Sequence, residues 1–233
     1  MWTSLIGPAV VAAVISGVVA AIGIWISART TRSIHTEKLE FDREQAERRI
    51  NAEIGLAEKK VDLDRAFAAW KRKAEFAEEV LSDFYQARDV INGARSPGSF
   101  GGEGTTRQKG DWESESDTGT LNAYFATTER LVNQREFFAQ LHARRYRFMT
   151  YFGNEASKPY ADLHRIYAEI VVSVRMLIQT HQQRAYGTLP ENRQQWQAVI
   201  RDVGDDDAVR GRLDRLVEAV EATCGPTIRE ISH

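Results

Sequence analysis

LIGPAVVAAVISGVVAAIGIWI, residues 5–26, holds no charged side chain in 22 positions. As a helix it is about 33 Å long at 1.5 Å per residue, enough to cross a hydrocarbon core of ~30 Å. Pro8 falls in the first turn, where a missing N–H costs little, and Trp2 and Trp25 bracket the run as interfacial indoles do. A secretory signal peptide is the rival reading. It wants a basic start and a shorter apolar core, whereas Met1-Trp2-Thr3-Ser4 has no basic side chain. Residues 1–28 therefore read as a membrane anchor. No Asp, Glu, Lys, Arg or His lies within the run, so it carries no ionisable intramembrane site.

Arg29, Arg32, Lys38 and Arg43 follow the apolar run. The positive-inside rule then predicts an N-terminus outside and the remainder in the cytoplasm. The single cysteine, Cys224, fits a reducing compartment. Arg outnumbers Lys 24 to 7, which points to a GC-rich bacterial source and hence a plasma membrane. Ala9, Ala13, Gly17 and Ala21 recur every fourth position, on one helix stripe. Small residues let two helices approach closely in lipid, so this stripe is the expected self-association face.

From Ser33 to about Asn92 there is no proline and a single interior glycine, Gly55, in a composition rich in Glu, Lys, Arg, Ala and Gln. That is strong helix chemistry. Leu39, Ile50 and Val61 repeat at eleven residues, as do Ala46, Ala57 and Ala68. Such a period gives a nearly straight or slightly right-handed coiled assembly. After Phe67 the spacing becomes alternating three and four, through Trp70, Ala74, Ala77, Leu81, Phe84, Arg88 and Ile91, as in a packed amphipathic helix. Residues 29–92 thus read as a stalk that becomes a bundle member. The alternative is a charged single helix held by pairs such as Glu44 and Arg48.

Residues 93–119 carry seven glycines and Pro97 and keep no apolar period, so they read as a long loop, either functional or disordered. Helical signals resume at Thr120. Leu121 to Phe152 reads as one amphipathic segment and Tyr160 to Ala185 as another. A short helix follows from Pro190 to Val203. Gly204 and the aspartates after it supply caps, and a last helix runs from Ala208 to about Thr223, ended or kinked by Gly225-Pro226. No strand-like alternation of useful length occurs. The expected fold is all-α: one transmembrane helix, a long stalk and a cytoplasmic antiparallel helical bundle over residues 120–233.

The net charge of −2 argues against a basic nucleic-acid binder. Five histidines include no His-x-x-x-His, and Glu230 with His233 makes a lone Glu-x-x-His at the chain end, so no metal or cofactor is expected. Gly-x-Ser-x-Gly is absent, and no nucleophile, base and orienter set is visible. The loop glycines with Thr105, Thr106 and Arg107 could cradle phosphate, yet they lack a P-loop ending and a preceding strand.

A basic cluster spans Leu141 to Phe148. Stepping by three and four from Leu131 puts Arg135, His142 and Arg145 on or beside an apolar stripe, and Arg88 and His181 fall similarly on their helices. A buried guanidinium needs an anion. Either Glu79, Asp83 and Glu129 supply it, or Arg88, Arg135, His142 and Arg145 form a ligand site for a phosphate or nucleotide. The expected protein is a non-enzymatic membrane homo-oligomer, a scaffold or sensor recruiting a partner through its bundle or the 93–119 loop. The alternative is an oligomeric pore or membrane-disrupting effector gated by an anionic ligand.

Overall fold

A computed structural model describes residues 8–98, 101–183, 191–204 and 206–229, with side chains from residue 10. Trp2, Ala185, Pro190, Glu230 and His233 lie outside them. All regular structure among the described residues is helical. In chain order it comprises α1 (Pro8–Ala94), α2 (Glu115–Asn133), α3 (Arg135–Phe152), a 3-10 turn (Glu155–Ser157), α4 (Lys158–Gln183), α5 (Arg193–Ile200) and α6 (Ala208–Arg229). The chain divides into two units, residues 1–67 and 68–233.

In the first unit every described side chain from Val10 to Phe67 is exposed, and Gly55 alone is half-buried. An 18-residue window near its start has mean hydropathy 2.4 and 0% burial. This long apolar helix near the N-terminus is of a length and composition able to cross a membrane. Beyond it, Arg43–Glu47 and Arg48–Glu44 ion pairs, both 3.0 Å, brace successive turns.

The second unit has a core in two clusters. Phe76, Val80, Phe84, Ala87 and Ile91 of α1 pack with Leu141 and Phe148 of α3, Ile166 and Ile170 of α4, and Leu213, Val217 and Val220 of α6. Leu121 and Tyr124 of α2 join Val174 and Leu177 of α4 and Ile200 of α5 in the other. Helix α4 serves both, the first cluster with its N-terminal half and the second with its C-terminal half. On α1 the buried stripe runs through Val80 and Ala87, while Leu81 and Arg88 are only half-buried and Phe67 is 62% exposed.

Several boundaries differ from the sequence expectation, among them the end of α5 at Ile200 rather than Val203. Helix α2 begins at Glu115 rather than Thr120, because Ser114 and Asp117 form a capping box: Ser114 Oγ accepts from Asp117 N at 3.1 Å, and the Asp117 carboxylate accepts from Ser114 N at 3.2 Å. The segment from Leu121 to Phe152 is two helices, broken at Gln134 with φ −103° and ψ 13°. One straight helix offers a single apolar stripe, and the break lets Leu121 and Tyr124 face one cluster while Leu141 and Phe148 face the other. Helix α6 continues past Pro226 to Arg229. Cys224 and Thr227, on either side of the proline, are buried, and their packing outweighs the lost backbone bond.

Candidate functional site

The four residues proposed from sequence as an anion site do not meet as a group. Arg135 and His142 line one cavity of ≈ 300 Å³ with Phe138, Leu141, Tyr160, Leu163, His164 and Tyr167. Arg88 and Arg145 do not line it. The cavity lies between α3 and α4. Its walls are aromatic and aliphatic, and its polar members are the guanidinium, two imidazoles and two phenols. The His142 and His164 rings lie 5.8 Å apart, and Arg135, His142 and His164 are all exposed. Such a site offers an apolar floor and a rim that donates hydrogen bonds, a chemistry suited to a small anion bearing an apolar group.

Arg88 instead reaches Asp89 at 3.2 Å and Asp214 of α6 at 3.7 Å, with its guanidinium 5.2 Å from the centre of the Tyr85 ring. Arg145 is half-buried, and its Nε finds no partner among the described residues. Two of the three acids expected to neutralise this cluster do so for its neighbour: Arg144 pairs with Glu79 at 2.7 Å and with Asp83. The Asp83 hydrogen bond first, and then the charges of Asp83 and Glu79, push the Arg144 guanidinium above its usual range. A step of one residue along α3 therefore separates the internally paired arginine from the one on the stripe.

His181 is buried and lies 2.8 Å through Nε2 from Asp117 Oδ1, joining the end of α4 to the start of α2. Hydrogen bonds from Ser114 and then His181 lower the Asp117 carboxyl to about 2.

The loop before α2 is tied down by carboxylates. Glu129 accepts from Gly104 N and from Thr106 Oγ1, both at 2.6 Å. Glu113 takes a two-pronged hydrogen bond from Arg107 at 2.7 and 2.5 Å and another from Gly110 N at 2.8 Å. Arg130 bonds Glu103 at 2.5 Å and Gly98 O at 2.7 Å. The donors that a phosphate cradle requires, Gly104 N, Thr106 and Arg107, are thus engaged by Glu129 and Glu113. Gly104 has φ +74°, and a Cβ there would run into the Asn122 carbonyl.

A buried ion pair that the sequence did not reveal closes the second unit. Arg95, just after α1, meets Asp207, just before α6, at 2.7 Å. The arginine also donates to the carbonyls of Val199 at 2.7 Å, Ala198 at 3.1 Å and Arg201 at 3.0 Å. Asp207 Oδ1 caps α6 by accepting from Arg210 N at 2.8 Å. Burial raises the Asp207 carboxyl, and the hydrogen bonds from Arg95, Arg210 and Val203 outweigh it, so it sits below its ordinary range.

On α1, Ala13, Gly17 and Ala21 are exposed, and a Cβ added at Gly17 meets nothing within 4 Å. Ala9 lies on the same helix. Among the described residues no group of three His, Cys, Asp or Glu is placed to hold a metal ion. Comparison of the chain with family models, curated proteins and solved structures gives no match.

Proposed function

We propose that the chain is a single-span membrane protein whose helical domain acts on the cytoplasmic side as a self-associating scaffold or sensor. The observation that carries this is the uncovered surface of α1. A helix segment of mean hydropathy 2.4 with 0% burial has lipid as its natural surroundings, whereas a helix from the core of a soluble protein is buried by its neighbours. The basic residues Arg29, Arg32, Lys38 and Arg43 after the span favour the cytoplasmic side for the helical domain. Beyond the span, Leu39, Ile50 and Val61 are each about half exposed or more, at 55%, 55% and 46%. Apolar surface of this extent is characteristic of an interaction site, and copies held in one bilayer meet at high local concentration. The homo-oligomer, coiled-coil contact, bacterial plasma membrane and protein partner belong to this proposal.

A second reading is supported by the cavity between α3 and α4. It brings Arg135 and His142 together, so an anionic ligand there could gate an oligomeric, membrane-disrupting assembly. The two readings share the anchor and the oligomer and differ in whether the domain answers to a small molecule. Alkaline carbonate extraction of membranes tests the anchor, and light scattering of the full chain in detergent tests the oligomer. Retention in the pellet and a mass above the monomer support the proposal. Release into the supernatant overturns the anchor, and a monomeric mass overturns self-association. Thermal-shift titration with aromatic carboxylates and phosphates then separates sensor from scaffold.

A further inference from the structure

In the first unit, the eleven-residue period extends to charge as well as to apolar positions. At ~98° per residue, the step of a 3.67-residue turn, the large exposed apolar side chains between residues 34 and 66 fall into two stripes. One holds Ile34, Phe41, Leu56 and Leu63, with Ala52 in line. The other holds Leu39, Ile50, Ile54 and Val61, with Ala46 and Ala57 in line. Their centres lie roughly 140° apart around the helix. A helix that pairs with one partner needs one stripe. Two stripes on different sides serve two neighbours.

The charges distinguish the stripes. Lys38, Arg49 and Lys60 stand eleven residues apart beside the first stripe, and Arg48 and Lys59 line its other edge. Asp42, Glu53 and Asp64 stand at the same interval beside the second, and Glu47 and Glu58 line its other edge. The first stripe is therefore apolar with a basic rim, and the second apolar with an acidic rim. Glu37 is out of pattern on the basic rim. Arg43 and Arg65 share the Ile54 column, and each has a local acid, Glu47 at 3.0 Å and Asp62 at 3.9 Å. Like against like sets equal charges side by side, whereas unlike stripes pair apolar rows and opposite rims together. The first stripe also carries the larger side chains, including Phe41, and the second offers the smaller Ala46 and Ala57 to receive them.

We infer that the basic-rimmed stripe of one copy docks on the acidic-rimmed stripe of the next, so that copies assemble side by side, each with two neighbours. Such a contact is heterologous: it uses two different faces, does not end at a dimer, and closes into a ring or continues as an array. This rests on the self-association proposed above, with the span holding all copies parallel in one bilayer.

The test uses the full chain in liposomes, with chemical crosslinking as the readout and circular dichroism to check helix content. The wild type gives a ladder beyond the dimer. Reversing the basic column (Lys38→Glu, Arg49→Glu, Lys60→Glu) or the acidic column (Asp42→Lys, Glu53→Lys, Asp64→Lys) weakens assembly roughly tenfold. Mixing the two reversed proteins restores it in strict alternation, because each basic face then meets an acidic one. Reversing both columns in one chain also restores it, which loss of folding would not allow. A wild type that stops at the dimer, or a mixture that fails to co-assemble while the wild type does, overturns the two-faced contact and leaves self-association standing. A monomeric wild type overturns both.

Discussion

The guanidinium of Arg95 and the carboxylate of Asp207 meet at 2.7 Å with their side chains 0% and 1% exposed. A charge pair so enclosed is costly to break from one side, because the survivor stays buried and unpaired. Asp207→Asn should therefore destabilise the helical domain by about 3–5 kcal/mol. Arg95→Met should cost a similar amount, since three carbonyls lose their donor along with the carboxylate. Cys224 gives a direct readout. It is the single cysteine, is buried, and burial pushes its thiol up to about 11. Denaturant titration of the full chain in detergent, followed by thiol labelling at pH 7.5, should show reaction at lower denaturant in both variants. Unchanged midpoints would mean that the pair contributes nothing to stability.

Gly104→Ala tests the loop. The position has φ +74°, and the new methyl would collide with the Asn122 backbone. The loop must shift and give up the Gly104 N–H bond to Glu129. A cost of roughly 1–3 kcal/mol is expected, confined to the loop and the α2 face beneath it. Hydrogen exchange should rise over residues 101–113 and stay unchanged on α6.

Acid should release the same loop. The Arg107 hydrogen bond, chiefly, holds the Glu113 carboxyl near 2 against an ordinary 4.5. A carboxyl lowered in the folded state contributes stability that is fully present above pH ~4.5 and is lost as pH falls toward ~2. Limited proteolysis by pepsin between pH 4.5 and 2 should cut first within residues 101–113. Glu113→Gln should show that susceptibility already at neutral pH with a protease suited to it. Equal resistance of variant and parent would remove the clamp from the account.

Gly17→Leu is a clean probe of the apolar N-terminal helix. Nothing lies within 4 Å of the added Cβ in the single chain, so any effect arises between chains. If the Ala9, Ala13, Gly17, Ala21 stripe is a contact, the larger side chain separates the backbones and association weakens. Fluorescence energy transfer between labelled copies in liposomes should fall, while Ile15→Leu leaves it unchanged.

Much of the fold was legible because helix chemistry is local. The long charge-rich run, the glycine loop and the amphipathic segments all announce themselves in spacing. The break at Gln134 left no such mark: no glycine or proline stands there, and only the division of the apolar residues between two clusters accounts for it. The helix start at Glu115 rests on the Ser114–Asp117 capping box, whose two residues stand inside the glycine-interrupted stretch that reads as loop. The site was less legible. Periodicity put Arg145 on the stripe, but it cannot tell which of two adjacent arginines bends toward Glu79 and Asp83. The Arg95–Asp207 contact joins residues far apart in sequence, and nothing local at either position foretells it. His164 joins His142 only because α3 and α4 pack side by side.

The apolar face of α1 from Phe76 to Ile91 packs in the same cluster as Leu213, Val217 and Val220 of α6. The ribosome makes the first of these long before the last. Until α3 and α4 follow, Phe76 and Phe84 lack Tyr151 and Tyr160, and until α6 follows, the cluster lacks its last helix and Arg95 has no Asp207. The domain therefore completes its core only once α6 has been made, after residues 5–26 have long since emerged. A nascent chain at that stage presents chaperones with an aromatic surface that the finished protein conceals.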